Sequence, residues 1–443
     1  MKRNGKKARK IRKLIITCTL SAVVLIVSTY TWFIGMQTVN VSPFEIEVAT
    51  TEGLFLSMDG ENWAYTLDVT KTDAYTGHTN TWATEGLKPV STVGDLDSKV
   101  SRLKLFEKAS LTTSPGGYRL LASQVDNYSE VKDEEGHVTG ISQGEGYIAF
   151  DLFIKNLSGA EYYPTNNILN EEAIYLTTDS LVKIKSNGSD DQEKTGIENS
   201  IRVGFAQIGR VEATEADASV ITSMDCDGDE DAKVTGICRN AQIWEPNETK
   251  HVDNAVNWYN KSCITRKAEG TTITSSGSYN VTEYENGAVK TPAVYCKETG
   301  NFVNTKEVPT YAISRAIDIA DNVDVYDGAA FNKYEGNTVK YDVYSKAEKE
   351  VKDTYKLVEY PYFTDEMKNT AGTARPEFMR LAPNSITKVR VYIWIEGQDI
   401  DNYDFAQLGK TISINFGFTK ERFTETDTSY DGPDLVTSDN ATL

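Results

Sequence analysis

Lys388 to Glu396, KVRVYIWIE, is the stretch whose reading decides the fold. Val389, Val391, Ile393 and Ile395 fall on one side of an extended chain, while Arg390, Tyr392, Trp394 and Glu396 fall on the other. That two-residue alternation is the signature of a β-strand with one apolar face. The same period returns in Lys410 to Phe418 (KTISINFGF), through Ile412, Ile414, Phe416 and Phe418. It is also present in YIAFDLFIKN, where Ile148, Phe150, Leu152 and Ile154 share a side and Asn156 and Gly159 close the run. Further strands are read at Phe44 to Met58, Ala173 to Ile184 and Ile201 to Val211, the first ending in an Asp59-Gly60 turn. Strict alternation with one apolar face is what two packed antiparallel sheets require, so the predicted class is all-β, an antiparallel β-sandwich.

Between these runs lies a region of different character. Residues 213–380 are polar and patchy, carry most of the cysteines, and read as a large mixed insertion between the first part of the sandwich (44–212) and its closing strands (381–423). Its apolar spacing suggests two short helices, Tyr311 to Ala320 and Tyr344 to Tyr355. Residues 424–443 form an acidic, turn-rich tail.

Ahead of the sandwich stands Leu14 to Met36, LIITCTLSAVVLIVSTYTWFIGM, a run without a charge. As a helix, at about 1.5 Å per residue, it would reach roughly 35 Å, enough to cross a bilayer core. Residues 1–13 hold eight bases and no acid, which keeps such an N-terminus cytoplasmic, and Tyr30, Trp32 and Phe33 fall where outer headgroups would lie. A single transmembrane signal-anchor is expected, followed by a linker at 37–43, with residues 37–443 outside the cell. A cleaved export signal shares the basic and apolar layout and stays open as the alternative. Beyond residue 44 there are 38 bases against 65 acids, a net charge of −27. A body that acidic repels nucleic acid, which is excluded as a partner, and repels other anionic surfaces.

Four cysteines, Cys226, Cys238, Cys263 and Cys296, lie within 71 residues of the exported part, where two disulfides are permitted with three connectivities. Their spacing lacks the paired C-x₂₋₄-C of a zinc site. His78, His137 and His251 stand isolated in polar sequence, and neither HExxH, GxSxG, a P-loop nor GxGxxG occurs. No enzyme and no cofactor are expected. The run Asp225 to Asp231 is acidic enough for calcium but fails the EF-hand spacing, with Glu230 at the loop's sixth position and Gly236 at its twelfth. It reads as a solvated turn beside Cys226, and Asp399, Asp401 and Asp404 read the same way after the Trp394 strand.

At TYTWF (29–33), placed at the outer end of the apolar segment and followed closely by a strand, the chain resembles the TasA/camelysin-like family. RVGF (202–205), IWEPN (243–247) and YIWIEGQDID (392–401) look like further segments of that family's sandwich; Trp394, Glu396, Gly397 and Asp399 stand in the last of them. Thr31 stands where the family has a small residue at its cleavage position. The resemblance implies a jelly-roll-like subunit of an extracellular fibre or biofilm matrix, with itself or related surface subunits as partners. In that reading Phe44, Ile46 and Val48 form a donor strand added to a neighbour's sheet. The alternative is a monomeric, membrane-tethered adhesion or ligand-binding module, for which the first strand would be firmly paired in its own sheet.

Overall fold

The alternating stretch 388–396 lies inside a twelve-residue strand, Ser385–Glu396, at the centre of a nine-stranded sheet. In the computed structural model the described residues are, with short gaps, 42–69, 87–184, 196–255, 362–402 and 411–421, with short strands between 272 and 359. The chain divides into two units, Met1–Val39 and Asn40–Leu443. Residues 14–36, the anticipated membrane segment, lie outside the described residues, as does the tail from 424; among the described residues no helix is long and apolar enough to cross a membrane.

Two large sheets organise the second unit. In chain order their strands are β1 (Ser42–Thr50), β2 (Leu54–Ser57), β3 (Thr66–Asp68), β4 (Pro89–Ser91), β5 (Phe106–Glu107), β6 (Ile148–Asn156), β7 (Glu172–Leu176) and β8 (Leu181–Ile184). They continue with β9 (Ile201–Glu212), β10 (Thr235–Gly236), β11 (Gln242–Glu245), β12 (Phe363–Thr364), β13 (Met379–Leu381), β14 (Ser385–Glu396) and β15 (Thr411–Thr419). The six-stranded sheet runs β13-β7-β15-β1-β3, with β8 also on β15. The nine-stranded sheet runs β2-β6-β14-β9-β11-β12, with β10 against β9, β4 against β14 and β5 against β4.

The sheets meet through aromatic side chains. Phe205 of β9 sits edge-on to Phe416 and Phe418 of β15, with ring centroids 5.1 and 5.7 Å apart, and to Phe378 at 5.1 Å. Register explains the choice: Phe205 pairs with Val391, Val203 with Ile393 and Ile201 with Ile395, so the apolar alternates of β9 and β14 form one continuous face. On β6, Phe150 pairs with Val391 and Leu152 with Val389, extending that face by one strand.

The fold departs from the sequence expectation in four ways. First, the sheets are mixed. β1 runs parallel to β15, β11 to β12 and β4 to β14, while the other pairs are antiparallel; side-chain alternation fixes which face a residue takes and carries no information on strand direction. Second, the nominally outward face of β14 is covered. Tyr392 and Trp394 lie in a second core with Val90, Leu103, Leu105, Tyr147, Ala241, Ile243 and Tyr362, so every residue of β14 is buried. Third, the region 213–380 is not wholly an insertion, because β10, β11 and β12 inside it, and β13 across its end, are strands of the two sheets. Fourth, the two expected helices are overturned: Tyr311–Ile313 and Ile317–Asp318 are strands in place of the first, and Val343–Tyr344 at the start and Val351–Lys352 within the second are strands. Short apolar runs satisfy both periods, and pairing decides between them; Tyr311–Ile313 pairs with Leu357–Glu359, and the Ile313 N–H donates to Ser91 Oγ at 2.8 Å. Helix appears instead at α1 (Ala218–Ser223), where the Asp217 side chain accepts from the Ser219 N–H, and at α2 (Asp365–Lys368).

Candidate functional site

The covered face of β14 carries more than apolar residues. Arg202 of β9 pairs in register with Trp394, and Gly204 with Tyr392. The Trp394 indole packs against Gly204 of β9, where a Cβ would stand 3.0 Å from its Cζ3, so the missing side chain leaves the ring its room. Past Glu396 the chain turns sharply: the Asp399 N–H donates to Glu396 O at 3.3 Å and the Asn402 N–H to Asp399 O at 3.2 Å. This turn carries Asp399 and Asp401 back over the end of the sheet. β11, antiparallel to β9 through Val203 and Trp244, places Glu245 there, and the following turn, closed by Lys250 N–H to Asn247 O at 2.9 Å, places His251.

These residues form one connected cluster. Arg202 Nη2 donates to Glu245 Oε1 and, at 2.5 Å, to Asp399 Oδ2, while Nη1 donates to the carbonyls of Asn199 (2.8 Å) and Ile201 (3.0 Å). His251 Nδ1 is 2.6 Å from Asp401 Oδ2, and the Val252 N–H donates to Asp401 Oδ1 at 3.1 Å. Gly196, at φ +76°, makes room for this contact; a Cβ there would lie 2.7 Å from Asp401 Oδ1. Glu396 Oε2 accepts from Trp394 Nε1 at 3.2 Å and from the Tyr362 hydroxyl at 3.3 Å, and Oε1 accepts from the Gln398 N–H at 3.1 Å. The Arg202 guanidinium lies over the Tyr362 ring, 5.3 Å from its centroid. Exposure is 0% for Arg202, Glu396 and Asp401, 6% for His251 and 8% for Asp399.

Burial and charge set the protonation of the cluster. Burial pushes the Glu396 carboxyl up to about 7, against the pull of the Arg202 charge. Asp401 is likewise raised, by burial and by the charge of Asp399, with the His251 hydrogen bond opposing. For His251, burial works downward, but the Asp401 hydrogen bond and the charges of Asp399, Asp401 and Glu245 outweigh it and raise the imidazole. Arg202 is raised too: burial works downward, and Glu245 and Asp399 outweigh it.

Among the described residues, His251, Asp399 and Asp401 are the set whose donor atoms come within 4.8 Å of one another, as a metal would require. The carboxylate oxygens are already engaged: Asp399 Oδ2 by Arg202, Asp399 Oδ1 by the Asp401 N–H at 2.8 Å, Asp401 Oδ1 by Val252 and Asp401 Oδ2 by His251. With an arginine on the same carboxylate as the would-be cation, the set acts as a hydrogen-bonded ion-pair network. Its chemical capacity is to hold and release protons inside the protein.

Three of the four segments singled out in the sequence, RVGF, IWEPN and YIWIEGQDID, thus converge on one spot, through Arg202, Glu245, Trp394, Glu396 and Asp399; TYTWF lies outside the described residues. Gly397 lies in the turn, its N–H donating to Val90 O at 2.8 Å. Asp399 and Asp401 are not the solvated acidic cluster that the sequence suggested, and Asp404 lies outside the described residues. His251, isolated in sequence, joins the cluster from 150 positions away. An arginine inside the otherwise apolar run Ile201 to Phe205 was the signal for Arg202; Tyr362 and His251 gave none. Ile46 and Val48 are buried in β1, while the side chain of Phe44 lies outside what is described. Cys226 is bridged to Cys238, with Cα atoms 4.7 Å apart, and Cys263 and Cys296 lie outside the described residues. In the acidic run, Asp225 Oδ1 accepts from the N–H groups of Asp227 and Gly228, a hydrogen-bonded turn. No family model, curated protein or solved structure matches the chain.

Proposed function

We propose that this chain is a non-enzymatic structural protein of a cell surface: a jelly-roll-like β-sandwich held at the membrane by residues 14–36, or delivered to the surface after their cleavage. Copies of itself or related surface subunits are its partners. The burial of the His251–Asp401 network favours a structural part for the cluster. The observation that separates the two readings is the placement of β1, which fits a tethered module at rest and leaves strand exchange as the route to assembly. Directly after the apolar segment, it pairs on one edge with β15, Glu45 to Thr50 against Ser413 to Phe418, and on the other with β3, Glu47 to Ala49 against Asp68 to Thr66. Ile46 and Val48 fill the core of their own sheet.

Pairing on both edges favours a self-contained, tethered module as the resting state. Assembly by strand addition through Phe44, Ile46 and Val48 is then an exchange, in which β1 of one copy takes the place of β1 in the next. Cysteines at Glu47 and Asn415, register partners across β1 and β15, lock the strand at home; Glu47 is exposed, so the core is left alone. Oligomers of the full chain in detergent, seen by light scattering and electron microscopy, are expected to vanish in the oxidised Glu47→Cys/Asn415→Cys variant and to return on reduction. Oligomers that persist in the locked form would refute strand exchange, and a wild-type chain that stays monomeric would leave the tethered module as the function.

A further inference from the structure

Leu157, Tyr163, Ile168 and Leu169 are four of the five large apolar side chains that stand exposed among the described residues, Leu169 at 82% and Ile168 at 50%. All four belong to the connection from β6 to β7. Apolar side chains scattered singly over a surface need no explanation, but their concentration in one loop points to a contact surface. The loop is also held in shape. Arg210 Nη2 donates to Thr165 O, Arg239 Nη2 to Asn166 Oδ1 at 2.8 Å, and Arg380 Nη1 to Ile168 O at 3.3 Å. Asn167 Oδ1 accepts from the Leu169 N–H at 3.0 Å and so caps the single turn Ile168–Asn170 that presents both side chains. A surface fixed before it meets its partner loses little entropy on binding.

The place of the loop in the fold says what covers it. In register across the nine-stranded sheet, Leu54 of β2, Asn156 of β6, Ser385 of β14 and Glu212 of β9 form one row, at one end of the sandwich. The loop leaves from that row at Asn156, and its return at Glu172 is tied back to it by Asn156 Nδ2 at 2.9 Å. β1 finishes at the same end: Thr50 Oγ1 donates to Leu54 O at 3.1 Å, and Gly53 O accepts from the Leu157 N–H at 2.7 Å. Only residues 51–53 link β1 to β2, and Gly53 lies against the foot of the loop. The chain enters β1 at the other end of the strand, at Ser42, roughly 26 Å away at about 3.3 Å per residue.

A β1 that exchanges has to cross from one copy to the next through that short link. Its Thr50 then stands at the linked end of the acceptor and its Leu54 at the linked end of its own copy, four Cα steps apart and so at most about 14 Å. Exchange therefore brings two such ends face to face, and the loops at those ends are what meets. Resting on the strand-exchange reading above, we propose that Leu157, Tyr163, Ile168 and Leu169 form the contact surface between two copies of this chain, and that the exchange closes as a reciprocal pair. The acceptor's own β1 leaves from the same end, where the facing sheet is its donor's. Giving the strand back completes a two-fold contact in which the same loop serves on both sides. An open fibre would need each of these ends to face two others through links of three residues.

Sedimentation of the full-length protein in detergent over a concentration series tests the surface. The wild type is expected to form pairs that come apart in the oxidised Glu47→Cys/Asn415→Cys variant, and Leu169→Asp is expected to raise the dissociation constant of the pair roughly tenfold or more. In the oxidised lock, where every copy is single, adding Leu169→Asp is expected to leave the melting temperature unchanged, because that side chain faces solvent. p-Benzoylphenylalanine in place of Leu169 is expected to cross-link two copies on illumination. In place of Lys183, exposed on β8 and paired with Ser413 toward the far end, it is expected not to. Oligomers that vanish on locking but are unmoved by Leu169→Asp, or that hold more than two copies, overturn this proposal and leave strand exchange standing. A wild type that stays single, or oligomers that survive the lock, overturn both.

Discussion

Arg202 is fully buried, and four of its hydrogen bonds end on two carboxylates and two backbone carbonyls. Removing one partner of a buried ion pair is far costlier than never having built it, because the abandoned charges stay out of water. Arg202→Met is therefore expected to lower the unfolding free energy by roughly 3 to 5 kcal/mol, by leaving Glu245 and Asp399 without a cation. A urea titration measures it, and a loss below about 1 kcal/mol would mean that water reaches those carboxylates. Arg390 makes a second case on the neighbouring strand, β14. Its guanidinium holds Asp151 through Nε at 2.6 Å and Nη2 at 3.0 Å, a two-pronged pair that is also buried. Both arginines were visible in the sequence as charges at alternate positions of apolar strands, and alternation alone assigned them to a solvated face. What it lacked was the second layer, Leu103, Leu105, Tyr147 and Tyr362, which comes from distant parts of the chain.

At the scale of elements, the connection from β9 through α1 to β10 shows how a short staple and a sheet edge support each other. Gly209 and Arg210 of β9 pair with Gly236 and Thr235 of β10, and the Cys226–Cys238 bridge closes a loop that contains β10. Cys238 takes φ +46° and donates its N–H to Ile208 O at 3.1 Å, so the bridge ends on a residue tied to β9 itself. The double variant Cys226→Ser/Cys238→Ser is expected to lose roughly 2 to 4 kcal/mol, chiefly because the unfolded chain regains the freedom of that loop. Thermal melting of wild-type and variant protein, with alkylation and intact mass to count free thiols, checks it; finding Cys226 and Cys238 both alkylated without reductant would refute the bridge. β1 is the opposite kind of element. No covalent tie holds it, and its place between β15 and β3 rests on backbone hydrogen bonds and on the burial of Ile46 and Val48. Its strand character was legible from two alternating apolar residues. Its parallel partner, some 370 positions away, was not.

Across the whole molecule, the excess of 65 acids over 46 bases makes the net charge −19, and the buried cluster pushes stability along the same pH axis. The raised carboxyl of Glu396 means that the folded chain keeps a proton which the unfolded chain has already released. Its stabilisation is full below the usual carboxylate value of 4.5 and is lost as the pH rises through about 7. His251, raised above 6.5, gives stability that is full below that value and is likewise lost as the pH climbs through its folded value. The protein is thus expected to be most stable in mild acid, with a melting temperature that falls between about pH 5 and about pH 8, and with a shallower fall in Glu396→Gln. Since that substitution leaves the rest of the surface charge in place, equal slopes in the two proteins would assign the effect to general repulsion and not to the cluster. The sequence by itself determined the long alternating strands, which of their side chains share a face, and the acidic character of the chain, because period-two alternation and charge are properties of neighbouring residues and need no partner to be read. Only the tertiary structure decided which strands run parallel, that both faces of β14 are covered, and that Arg202, Glu245, His251, Tyr362, Glu396, Asp399 and Asp401 meet. Each of those outcomes depends on pairing and burial between segments far apart in the chain, and an alternation pattern is the same whether the face it marks meets water or another layer of protein.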